Sequence, residues 1–79
     1  MIRLPILFNT DATTQLEKLD IDVSYDDCEV RESLFMNINV VTPNRKEGKD
    51  YTDIHAGGDL FVCVLSIDEV EQLIKNQQK

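Results

Sequence analysis

Apolar residues recur at every second position through much of this chain, and at helical spacing near its end. Ile2, Leu4, Ile6 and Phe8 alternate with Arg3, Pro5, Leu7 and Asn9, the period-two signature of a strand with one apolar face. Pro5 cannot donate to a ladder, so the pattern predicts an edge strand or an irregular one. Asn9 to Asp20 is polar, with Leu16 and Leu19 three apart, and predicts at most a short helical turn capped by Asp11. Ile21, Val23 and Tyr25 alternate again and predict a second strand, closed by a turn at Asp26-Asp27.

From Val30 the alternation predicts the longest strand. Leu34, Met36, Ile38 and Val40 share one face, with Phe35, Asn37, Asn39 and Val41 on the other. Thr42-Pro43-Asn44 is expected to end it, and residues 45–50 to form a connecting loop around Gly48. Two further strands, 51–56 and 59–65, fold back across Gly57-Gly58, because tight hairpin turns need positive φ and glycine adopts it without steric cost. Phe61-Val-Cys-Val-Leu65 is apolar on both faces, which predicts a central strand.

Ser66 and Glu69 have capping-box spacing, and Leu65 and Val70 fall at hydrophobic-staple positions. Ile67, Val70, Leu73 and Ile74 then give a C-terminal helix a narrow apolar stripe, while the polar tail 75–79 is expected to fray. The pattern as a whole predicts an α+β fold, a small antiparallel sheet of four or five strands with one C-terminal helix packed on one face. Residues 1–79 form a single domain in this reading.

Length limits what such a domain can do. A chain of 79 residues buries only about 60–65% of its unfolded surface, and its core supplies roughly 3–5 kcal/mol. A deep catalytic cleft is not expected, and dimerisation would be one way to add burial. Met1-Ile-Arg-Leu-Pro-Ile-Leu-Phe8 is too short an apolar run for a signal peptide, and no stretch approaches the roughly 18 apolar residues of a membrane span. The expectation is a soluble cytoplasmic protein that does not engage membranes. Of the two cysteines, Cys63 lies within an apolar strand, where a free thiol behaves as a small hydrophobe.

Charge changes the picture of partners. The net charge is −7, and between Asp11 and Glu32 eight acidic residues face only Lys18 and Arg31. Direct binding to nucleic acid or anionic lipid is disfavoured, since phosphate contacts need basic residues. The one basic cluster, Arg45, Lys46 and Lys49, reads as a solvated turn.

Candidate chemistry is sparse. Asp20, Asp22, Ser24 and Asp26 place oxygen at positions 1, 3, 5 and 7 of a calcium loop, but Tyr25 stands where glycine makes the sharp turn and Arg31 where a bidentate Glu belongs. One histidine and two distant cysteines fall short of a zinc site. A Cys28–His55 nucleophile–base pair is conceivable, yet Asp26, Asp27 and Glu29 around Cys28 oppose thiolate formation. Gly57-Gly58 leads from strand to strand, whereas phosphate cradles lead into a helix. No enzyme, cofactor or metal is expected.

Residues 36–75 resemble the small FlbD-like flagellar proteins. The corresponding pieces are Ile38-Asn-Val-Val-Thr-Pro43, Tyr51-Thr-Asp-Ile54, Gly57-Gly58 and Ser66-Ile-Asp-Glu-Val70 followed by Leu73-Ile74. The acidic first half and the 45–50 segment have no counterpart. The resemblance implies a small non-catalytic interaction or regulatory role; a motility role is not carried over.

Two functions follow as expectations. The first is a non-enzymatic interaction module that binds a protein partner, or itself as a homodimer. It would use strand 2–8 as an open edge together with Phe35, Asn37 and Asn39. The second is an acidic inhibitor of a nucleic-acid-handling enzyme, of the kind phages and mobile elements encode. Asp20, Asp22, Asp26, Asp27, Glu29 and Glu32 would then stand in for phosphates.

Overall fold

The structure, a computed structural model of the chain, describes residues 1–77. Five strands and two helices follow in the order β1 (Ile2–Phe8), α1 (Asp11–Lys18), β2 (Glu29–Phe35), β3 (Val40–Lys46), β4 (Lys49–Ala56), β5 (Asp59–Cys63) and α2 (Ile67–Gln77), with a one-turn 3-10 helix at Tyr25–Asp27. The strands form one antiparallel sheet in the order β2-β1-β5-β4-β3. Helix α2 packs on one face, as an α+β fold of this kind requires, and β5 is central, as its apolar run predicts.

Four expectations about the strands need correction. Strand β1 is not an edge: it lies between β2 and β5. Pro5 fits there because its carbonyl accepts the Val64 N–H at 3.2 Å. Its nitrogen therefore faces the same side, where the β1–β5 ladder runs through only Ile6↔Cys63 and Leu7↔Val62. The absent donor falls at the end of that ladder and costs β1–β2 nothing.

Further along the ladder's missing part, Gln77 substitutes for a strand. Its side-chain amide donates to the Arg3 carbonyl (3.2 Å) and its Oε1 accepts the Arg3 N–H (2.8 Å). That bond pair explains why α2 stays helical through Gln77 where fraying was expected; Gln78 and Lys79 lie outside the described residues.

Second, the long strand predicted from Val30 is two strands. β2 ends at Phe35, and residues 36–39 lead to β3 on the far side of the sheet order. Strong coiling makes so short a connection sufficient: Phe35, at the end of β2, meets Phe61 of β5 edge to face at 5.2 Å.

Third, residues 45–50 are a hairpin rather than a loop. Glu47 (φ 54°) and Gly48 (φ 78°) make the two-residue turn between β3 and β4, as Gly57 (φ 60°) and Gly58 (φ 81°) do between β4 and β5. Both central residues are left-handed, the type I′ geometry that matches strand twist. Alternation counted from the Lys46↔Lys49 pair turns the Pro43 nitrogen away from β4, so proline sits in an edge strand without breaking its ladder.

Fourth, Ile21–Tyr25 is not a strand. Helix α1 closes with the Ile21 N–H on the Leu16 carbonyl and the Asp20 N–H on that of Glu17, both at 3.0 Å. This is a Schellman motif with Asp20 at φ 58° in the place glycine usually takes. The chain leaves it in irregular form and enters the 3-10 turn with Ser24 as cap. At the other end of α1 the cap is Thr10, not Asp11, and Thr10 and Thr13 satisfy each other's backbone N–H groups reciprocally.

The core lies on the concave face, where Ile2, Leu4, Ile6, Phe35, Ile54, Ala56 and Cys63 meet Val70 of α2. Glu69 donates its N–H to Ser66 Oγ (3.4 Å), so Ser66 caps α2 as its sequence predicts. The Glu69 carboxylate accepts the Ser66 hydroxyl (3.1 Å) instead of its backbone N–H, and the capping box is half made.

Candidate functional site

The nine residues singled out from sequence do not form one surface. Phe35 is 7% exposed and part of the concave core, so it offers nothing to a partner; its strand turns it inward beside Ile2. Asn39 is a structural residue. Its N–H donates to the His55 carbonyl (2.8 Å) and its Oδ1 accepts the Gly57 N–H (3.2 Å), which fastens the 36–39 crossing to the β4–β5 turn. Asn37 is exposed.

Four of the six acidic residues face cations of this chain. Asp22 and Asp26 meet Lys46 (3.7 Å) and Lys49 (2.9 Å), Glu29 meets Arg31 (2.7 Å), and Glu32 meets Arg3 (3.9 Å). The basic cluster read as a solvated turn is thus partly engaged: two of its three members hold the acidic segment. Lys49 is more basic than an ordinary lysine because Asp26 accepts its hydrogen bond.

Free strand edges lie elsewhere than expected, on β2 and β3. In the β1–β2 register Phe35, Ser33, Arg31 and Glu29 face the inward-turned residues of β1, and they carry the ladder. Val30, Glu32 and Leu34 therefore aim their backbone groups outward, and no strand among the described residues lies along that side. Their side chains stand on the convex face, with Val30 53% and Leu34 56% exposed on either side of Glu32. A groove of about 670 Å³ adjoins Leu34, lined by Pro5, Leu65 and Leu73 with Arg3 and Glu32 at its rim. The β3 edge is different, since Pro43 removes its central outward donor.

A second assembly covers the other end of the convex face. There the β3–β4 hairpin tip meets residues 22–26. Lys46 Nζ donates to the Val23 carbonyl (2.9 Å) and stands 4.5 Å from the centre of the Tyr25 ring. Ser24 Oγ donates to Glu47 (2.8 Å), and Asn44 Nδ2 lies 3.3 Å from the Tyr25 hydroxyl. Tyr25 in turn packs edge to face on Tyr51 at 4.8 Å. None of this was expected from sequence. The signal available was Glu47-Gly48, a two-residue turn between alternating runs, obscured by Pro43.

The pairing of Cys28 with His55 is not formed. Cys28 Sγ lies 3.8 Å from Asn9 Oδ1 and from the Ser24 carbonyl, whereas the His55 ring meets Thr42 Oγ1 at 3.3 Å. Burial, then Glu17 and Asp27, push the Cys28 thiol up, and burial pushes up Cys63. Both cysteines are free thiols. Among the described residues no group of three or more His, Cys, Asp or Glu side chains gathers in a metal-binding arrangement, and no helix is long and apolar enough to cross a membrane.

Comparison of the chain with protein-family models, with curated proteins and with solved structures gives no match.

Proposed function

We propose that the protein is a non-enzymatic interaction module that takes an extended, basic segment of another protein onto the open edge of β2. The observation that carries this reading is the outward row Val30, Glu32 and Leu34, with unpaired backbone groups and two half-exposed apolar side chains flanking a carboxylate. An added strand would gain main-chain bonds along this row, while the side chains set its specificity. A net charge of −7 favours a basic segment and speeds its encounter.

A second copy of the chain fits less well. Two-fold antiparallel pairing that sets Val30 against Leu34 of the other copy would set Glu32 against itself, and like charges directly opposite destabilise a strand pair. Mimicry of nucleic acid is also less favoured, because Asp22, Asp26, Glu29 and Glu32 already face cations of this chain. The FlbD-like resemblance of residues 36–75 agrees with a non-catalytic role.

A displayed library of random short peptides, panned on the protein, tests the reading. Binders are expected to alternate apolar residues with Lys or Arg, and to be lost with Glu32→Pro, which removes an outward N–H while leaving the β1 ladder intact. Unchanged binding to Glu32→Pro would sink it. Binding abolished instead by Asp26→Asn with Asp27→Asn would favour the phosphate-mimic reading.

A further inference from the structure

Residues 20–28 cross the convex face without a single backbone bond to a backbone group of the sheet among the described residues. Their backbone bonds stay local: Ile21 to Leu16, Asp27 to Ser24 and Cys28 to Tyr25. Between them and the sheet is an open groove of about 290 Å³, lined by Leu7, Val30, Tyr51 and Val64 of the sheet side and by Tyr25, Asp26 and Cys28 of the crossing segment. The polar fastenings run to side chains of the β3–β4 hairpin, apart from the long Cys28–Asn9 contact, and Val23 adds one buried apolar side chain. No residue of 20–28 belongs to the concave core, and neither does any residue of the hairpin tip.

We infer that residues 20–28 form a strap that lifts from the sheet as a unit, released from the hairpin tip, and uncovers Leu7, Tyr51 and Val64 beside Val30 while the concave core stays folded. Three features support this. The strap's ion pairs are wholly or partly exposed: the side chains of Lys49 and Asp26 are 58% and 60% exposed and those of Lys46 and Asp22 29% and 96%, and exposed pairs are individually weak and screened by salt. Its ends are anchored independently, one by the Schellman turn at Asp20 and the other by β2, so lifting needs only the torsions between them. Glu47 stands at a left-handed turn position (φ 54°) where Asn is the favoured residue, and its carboxylate accepts the Ser24 hydroxyl. Turn chemistry alone does not account for that choice; a fastening does.

Ionic strength is the natural control of such a device. Raised salt weakens the Lys46–Asp22 and Lys49–Asp26 contacts but leaves apolar burial on the concave face in place. The lifted state extends the exposed apolar surface around Val30. The strap's opening nonetheless stands apart from strand addition on β2, because Glu32→Pro addresses one and Lys46→Met the other.

The chain carries its own reporters, since Cys28 lies at the end of the strap and Cys63 is fully buried in the core. Amide exchange followed by NMR, with alkylation by neutral iodoacetamide, measures both regions in one sample. In Lys46→Met the Asp27 and Cys28 amides should exchange roughly tenfold faster, the scale of losing a charge-assisted hydrogen bond. Exchange at Ile6 and Ile54 should be unchanged. Cys28 alkylation should accelerate and Cys63 should not. Lys46 lowers the Cys28 thiol pKa, so its removal alone would slow Cys28, and acceleration therefore reports opening. Asp26→Asn, which cuts the exposed Lys49 pair, should repeat the pattern more weakly and carries the test if Lys46→Met does not fold. Unchanged Asp27 and Cys28 exchange in both variants, or Cys63 accelerating in step with Cys28, overturns the inference.

Discussion

The two faces of this sheet are built from different materials. On the concave face Leu4, Ile6, Ile54, Cys63 and Val70 are wholly excluded from solvent. Aromatic contact between Phe35 and Phe61 closes one end of that layer. On the convex face the cover is a segment held by lysines, a serine hydroxyl, one pair of tyrosines and a single buried aliphatic side chain, Val23. Apolar burial scales with area and is not screened by salt, whereas exposed ion pairs contribute little and are screened. The concave layer therefore defines the fold, and the convex cover sets what the fold presents.

The sharpest way to break this comparison is to remove a concave side chain. Ile54→Ala should cost about 3 kcal/mol through lost transfer energy and the cavity left behind. That is most of the margin expected of so small a domain, and urea denaturation should show it. Tyr25→Ala should leave the urea midpoint nearly in place while speeding exchange at Asp27 and Cys28. Equal losses from both would mean that the strap is part of the cooperative core.

A smaller effect tests the junction between sheet and helix. Thr52 is completely buried, and its hydroxyl donates to the Leu65 carbonyl at 2.8 Å, just ahead of α2. Thr52→Val keeps the volume and deletes the donor, so a loss of about 1–2 kcal/mol is expected by the same denaturation assay.

How much of this was legible in the sequence depended on whether local pattern or tertiary neighbours decide the outcome. β1, the β4–β5 hairpin and the capped α2 were legible because period, turn residues and cap spacing all agree there. Pro43 misled because proline ends a strand in isolation but is tolerated on an open edge, and the edge exists only once five strands have been ordered. The alternation at Ile21, Val23 and Tyr25 misled because a strand needs a partner, and none among the described residues lies along these positions. The acidic segment was legible as charge but not as a fastening, since Lys46 and Lys49 reach it only after β3 and β4 fold back. The open edge of β2 was invisible for the same reason, as its outward row depends on the register with β1.

Alkaline pH should act on the concave side. Burial raises the Cys63 thiol above its ordinary value of 9.0, so the folded chain keeps a proton that the unfolded chain releases. Stability is then fully present below that value and falls as pH rises beyond it, because the native state binds more protons than the unfolded one. Cys63→Ala should be less stable at neutral pH and should show a shallower alkaline decline, as seen in urea midpoints across the range. An equal decline in both proteins would assign the loss to other groups.

The smallest effect has the opposite sign. Asp20 occupies the left-handed C′ position of α1 (φ 58°), which glycine adopts without the steric cost of a Cβ. Asp20→Gly should therefore raise stability by about 0.5 kcal/mol, relief at the native backbone being partly offset by the freedom glycine adds to the unfolded chain. Its effect on the strap separates two kinds of anchoring. If the Schellman turn is a fixed post, a better-formed turn should leave exchange at Asp27 and Cys28 unchanged even as the urea midpoint rises. If exchange there slows along with global unfolding, α1 and the strap open together, and the boundary between the two sides of the molecule lies at Phe8 rather than at Asp20.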